Sequence, residues 1–66
     1  MEIIVNGEPR QVAAHYTVAE LLAALDLVGR RLAVEVNMEI VPRSSHASHA
    51  FKAGDRIEIV HAIGGG

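Results

Sequence analysis

The 66 residues include no cysteine and no tryptophan, and only two prolines, one tyrosine and one phenylalanine. Without cysteine, disulfides and thiolate-rich zinc sites are excluded, so a chain this small must hold its fold by packing alone. That composition fits a reducing compartment, the cytoplasm. With Tyr16 and Phe51 as the sole aromatics, stacking platforms for bases are missing. A dominant charge is missing as well: six Lys and Arg residues are scattered among eight acids, for a formal net charge of -2. No basic stripe exists to displace counterions from phosphates, and nucleic acid is not an expected partner. No apolar run approaches the ~20 residues that a membrane helix requires. Met1 to Asn6 also lacks the basic and apolar regions of a signal peptide, so the chain is expected to meet no membrane.

What the chain does have is a globular composition, with 50% apolar and 21% charged residues. A chain of this length buries only about 60% of its unfolded surface, which leaves room for one modest core and one domain spanning residues 1–66.

Glu2 to Val5 reads as a strand. The Asn6, Gly7 pair behind it is a strong hairpin signal, because both residues tolerate the positive φ of a type I′ turn. Glu8 to Val12 returns antiparallel, and Pro9, which cannot donate to a ladder, places that strand at a sheet edge. A helix starts at Thr17. Glu20, three residues on, completes a capping box, and Tyr16 is positioned to staple onto Leu21. Val18, Leu21, Leu22 and Leu25 form one apolar stripe, and Gly29 ends the helix or its exit turn. Arg31 to Val36 alternates, with Leu32, Val34 and Val36 on one face. Asn37 and Met38 turn the chain into a short strand at Glu39 to Val41, which Pro42 ends. Pro42 to Ala50 is a loop or a loose helical turn, anchored by Phe51. Ala53 to Asp55 make a tight turn before a last strand, Arg56 to Val60, with Ile57 and Ile59 facing the core.

Two hairpin-like pairs around one helix predict an α+β domain, with a mixed sheet of four to five strands packed on that helix. A β-grasp closes such a sheet with its first and last strands parallel at the centre, leaving the Pro9 strand at the edge.

Few side chains invite chemistry. Ser44, Ser45, His46, Ser48 and His49 are nucleophile and base types, but no third orienting group accompanies them, and a polar surface loop is the simpler reading. His46 and His49 lack the third ligand that a stable metal site requires. Glu35 with Glu39, and Asp55 with Glu58, read as solvated charges on exposed strand faces rather than as acid–base pairs. The glycine run is different. Gly64, Gly65 and Gly66 contribute nothing to a core, and residues 63–66 are expected to form a flexible tail. Without Cβ atoms, such a tail can lie extended in a narrow tunnel of another protein and carry a carboxylate to its reaction centre. A main-chain carboxylate ordinarily titrates at about 3.5, so it is ionised at neutral pH and can attack the α-phosphate of ATP.

The whole chain resembles the sulfur carriers of thiamine biosynthesis, bacterial members of the ubiquitin-like β-grasp group. The resemblance is carried by Asn6, Gly7; Thr17 to Leu22; Ala33 to Asn37; Ile40 to Ser44; Gly54 to Val60; and the glycine end. Two positions depart from it: Met38 stands where many relatives have glycine, which argues against a strict type I′ turn there, and Gly64 stands where some have alanine. The resemblance implies a carrier rather than an enzyme, with no cofactor of its own. It implies that an ubiquitin-activating-like enzyme uses ATP and magnesium to adenylate Gly66. A sulfur-donor enzyme such as a cysteine desulfurase would supply the sulfur for a thiocarboxylate, and thiazole synthase would receive it. Gly64 and Gly65 would thread into the partner. Ile4, Val60 and Ile63 are the candidate docking residues, on the sheet face away from the helix. Two rival readings are a carrier like the small subunit of molybdopterin synthase, which tends to be longer, and an interaction module whose tail is incidental.

Overall fold

The computed structural model describes residues 1–61. Five strands and one helix follow in the order β1 (Glu2–Val5), β2 (Glu8–Gln11), α1 (Val18–Ala24), β3 (Leu32–Val36), β4 (Glu39–Val41) and β5 (Arg56–His61), with a single 3₁₀ turn at Arg43–Ser45. The sheet runs β2-β1-β5-β3-β4. β5 lies between β1, to which it is parallel, and β3, to which it is antiparallel. This is the expected β-grasp arrangement, and Pro9 sits in β2 at the outer edge, where no neighbour needs its missing N–H.

Helix α1 has seven residues, too short to persist alone, so its ends and its buried face hold it. Thr17 Oγ1 accepts from the Glu20 N–H at 3.2 Å, and the Glu20 carboxylate accepts from the Thr17 N–H at 3.0 Å. This reciprocal pair satisfies two amides that the first turn leaves without intrahelical partners. Two more are taken up by the loop from Pro42 to Ala50: Val18 donates to the His49 carbonyl and Ala19 to that of His46. The helix ends earlier than Gly29. Asp26, at φ 60, adopts the left-handed conformation, with its N–H bonded to the Ala23 carbonyl and the Leu27 N–H to that of Leu22. That is a Schellman ending built on aspartate, and Gly29 at φ 82 serves only the exit turn.

The core forms where α1 covers one face of the sheet. Ile3, Val18, Leu21, Leu22, Val34, Val36, Val41, Phe51, Ile57 and Ile59 are buried together, and Val5, Val12, Tyr16, Leu25 and Leu32 pack around them. Strand alternation therefore assigns Ile3, Val34, Val36, Ile57 and Ile59 to the helix side and leaves the odd-numbered neighbours of Val34, together with Ile4, on the other.

The Met38 expectation is corrected. Asn37 and Met38 have φ values of 51° and 71°, so both central positions are left-handed, as a type I′ turn demands. Met38 is 90% exposed, which confines the steric penalty to its own backbone. Asn37 holds the turn in place: its Oδ1 accepts from the Arg56 N–H at 3.0 Å and its Nδ2 donates to Asp55 at 3.0 Å.

Candidate functional site

Ile63, Gly64, Gly65 and Gly66, the expected tail and its carboxylate, lie outside the described residues. What the structure does place is the strand leading to them. β5 is gripped at its start and again at mid-strand by an asparagine in a left-handed turn. At its start, the Asn37 N–H donates to the Arg56 carbonyl at 2.8 Å while the Asn37 side chain receives the Arg56 N–H. Further along, the Asn6 N–H donates to the Ile57 carbonyl at 2.8 Å, and Asn6 Oδ1 accepts from the Ile59 N–H at 2.8 Å. Asn6 thus continues the β1 ladder by one step after β1 has turned away. The Asn6, Gly7 pair is legible as a hairpin signal, but nothing in the sequence indicates that its amide reaches 53 residues ahead.

The serine and histidine loop is used for structure. His46 Nε2 lies 3.0 Å from the Val41 carbonyl, and the His49 ring meets Phe51 edge-on with centroids 6.2 Å apart. Ser48 Oγ donates to the Ser45 carbonyl. With the histidine backbones satisfying α1, these residues form a lid over one end of the core. Among the described residues no group of three His, Cys, Asp or Glu side chains comes together around a possible metal position. No helix among them is long and apolar enough to cross a membrane. His15 and His61 are exposed.

The sheet face away from α1 carries the other candidates. Ile4 is half-buried and faces Pro9 and Arg56 on its neighbours, whereas Val60 is 52% exposed and pairs with Ala33. They share a face, but Val60 stands four residues beyond the partner of Ile4 along β5, a separation of about 13 Å. Glu58 lies between them, directly opposite Glu35 on β3. Glu35 with Glu39, and Asp55 with Glu58, read from the sequence as solvated charges rather than pairs, and the register sets Glu35 and Glu58 opposite each other instead. Ile40, 68% exposed and paired with Glu35, extends the same face and is not singled out by the sequence, because β4 is too short to show alternation.

A shallow cavity of about 350 Å³ between α1 and the lid is lined by Leu22, Leu27, Val28 and Leu32 with Arg30 and Arg43 at its rim. It holds no nucleophile paired with a base. The strand that precedes the glycines in sequence, β5, is the candidate site.

A sequence model of the ThiS family matches residues 3–66. The chain belongs to the ThiS family. It is 41% identical over 66 residues to the sulfur carrier protein ThiS of Escherichia coli, covering all of both chains. It is 50% identical to a thiazole synthase of Paramagnetospirillum magneticum and 39% identical to one of Magnetococcus marinus, and spans 20% of the length of each. Among solved structures, the crystal structure of the ThiS protein of Geobacter metallireducens superposes with a TM-score of 0.85 at 36% identity, covering both chains fully. Membership of the ThiS family accounts for the β-grasp and for the family match extending through the glycines.

Proposed function

We propose that this chain is a sulfur carrier of thiamine biosynthesis, with the Gly66 carboxylate as its working group. The observation that carries the reading is the family match through Gly66 on a β-grasp fold whose central strand, β5, ends five residues before it in sequence. A carboxylate oxygen of Gly66 attacks the α-phosphorus of ATP in an adenylating partner, forming the acyl adenylate and releasing pyrophosphate. A sulfur nucleophile at the sulfide oxidation level then attacks the acyl carbon; a C–S bond replaces the C–O bond, and AMP departs. The thiocarboxylate so formed is a soft nucleophile held on a protein, and docking selects its recipient. ATP and magnesium belong to the partner in this scheme, and the carrier contributes the acyl group and the fold that presents it.

Thiazole synthase is the proposed recipient. Support comes from the two thiazole synthases that contain a segment similar to this entire chain, so that carrier-like and synthase sequences share one polypeptide in those proteins. A cysteine desulfurase or similar donor supplies the sulfur as a persulfide, which a thiol reductant brings to the sulfide level while a disulfide forms from the two thiol sulfurs, and the cytoplasm is the proposed compartment. Gly64 and Gly65 thread into the activating enzyme. Val60, Ile4 and Ile63 contribute to docking, with Ile40 added from the structure. Intact-mass measurement after incubation with the cognate adenylating enzyme, ATP, magnesium and a sulfur donor tests the reading: exchange of oxygen for sulfur adds about 16 Da. An unchanged mass alongside intact binding would leave an interaction module instead.

A further inference from the structure

We infer that the β1-facing edge of β5 beyond Asn6, at Ile59 and His61, is a pairing site for an extended backbone segment of the adenylating partner. This rests on the carrier reading above. Main-chain groups in β5 alternate between its two neighbours. Arg56 exchanges bonds with Asn37 at the end of β3, so the even-numbered residues face β3. Ile57 and Ile59 bond to Asn6, so the odd-numbered residues face β1. On the β3 side the strand stays paired as far as His61, opposite Leu32. On the β1 side, strand pairing stops at Ile57, because β1 ends at Val5 and turns away through Asn6 and Gly7. Asn6 Oδ1 satisfies the Ile59 N–H and nothing further. The Ile59 carbonyl and the His61 N–H consequently point into the space that β1 has vacated, and no turn or loop group among the described residues bonds to them.

An acceptor and a donor at this spacing along a strand edge match the pattern of another extended backbone. A second copy of this chain is a poor match. Its outer strands are β2, where Pro9 removes a donor, and β4, which is three residues long. The activating partner, by contrast, must come close to His61 if it is to hold Gly66, five residues further along the chain. The contact therefore aligns the last strand with the partner before the tail is threaded, and it requires no particular side chain at His61.

Replacing His61 by proline tests this directly. The change removes an N–H that takes no part in the β3 ladder, so the fold is retained, while His61→Ala removes the side chain and keeps the N–H. Replacing the residue-61 amide by an ester through chemical synthesis deletes the same donor without fixing φ. Calorimetric titration against the cognate adenylating enzyme is expected to show Kd unchanged in His61→Ala and raised about five- to tenfold in both His61→Pro and the ester. Melting temperatures should agree among the three. Binding by the ester as tight as that of His61→Ala overturns the inference, whether or not the proline variant folds. Concentration-dependent dimerisation of the native protein that the ester abolishes also overturns it, in favour of a second copy. Failure of the carrier reading looks different, since the native protein itself would then gain no mass with ATP and a sulfur donor.

Discussion

Leu21 is the residue whose truncation measures how much this domain depends on its one helix. It is fully buried, with 0% of its surface exposed, and lies on the face of α1 that meets Ile3, Val34 and Ile57 in the core. Leu21→Ala removes roughly three methylene equivalents at about 0.8 kcal/mol each and leaves a cavity, for a total of about 3–4 kcal/mol. A 66-residue domain has only about 3–10 kcal/mol of stability in all. Since each kcal/mol moves the midpoint of so small a domain by about 4–8 °C, the melting temperature should fall by at least about 12 °C. Val28→Ala is the matched control: Val28 follows the same helix but is 70% exposed, so its loss should shift the midpoint by no more than about 2 °C. Circular dichroism melts, together with urea titration to fix the free energies, compare the two. A Leu21→Ala cost below about 1 kcal/mol, or equal shifts in both variants, would refute the assignment of α1 as the cover of the core.

Three further outcomes follow from specific contacts. Asn6→Ala leaves the part-buried Ile59 N–H without its acceptor and puts a Cβ-bearing residue without a compensating amide at φ 49, so urea unfolding should show a loss of about 1–3 kcal/mol. Glu35→Gln relieves a like-charge pair opposite Glu58 on the open face and should raise stability by a few tenths of a kcal/mol at low salt, the gain shrinking as salt is added. Deleting Gly66 should abolish ATP-dependent adenylation, read by pyrophosphate exchange, while leaving the melting temperature unchanged, because the buried core runs from Ile3 to Ile59.

Much of the fold is readable because its local signals agree with one another. The capping box at Thr17 and Glu20, the alternation of Leu32, Val34 and Val36, and the Asn6, Gly7 turn each have a short-range cause, and all three form. Expectations are less accurate where a tertiary contact overrides a local preference. Met38 enters a left-handed conformation because Asn37 is tied to Arg56 and Asp55 across the sheet, and no propensity of methionine discloses that. Gly29 serves the exit turn, one of the two roles expected of it, while Asp26 ends the helix through the local Leu27–Leu22 backbone bond of a Schellman pair. The glycine end is conspicuous in the sequence, since composition alone makes it unusual. The edge of β5 is not, because its exposure depends on β1 being shorter than the strand beside it, a difference set by sheet register.

The parallel pairing of β1 with β5 also decides how this molecule responds to force. A pull on the far end of β5, opposed by an anchor near Met1, drives the two central strands past each other along their length. Their hydrogen bonds then share the load simultaneously instead of opening one after another, as they would in a peeled hairpin.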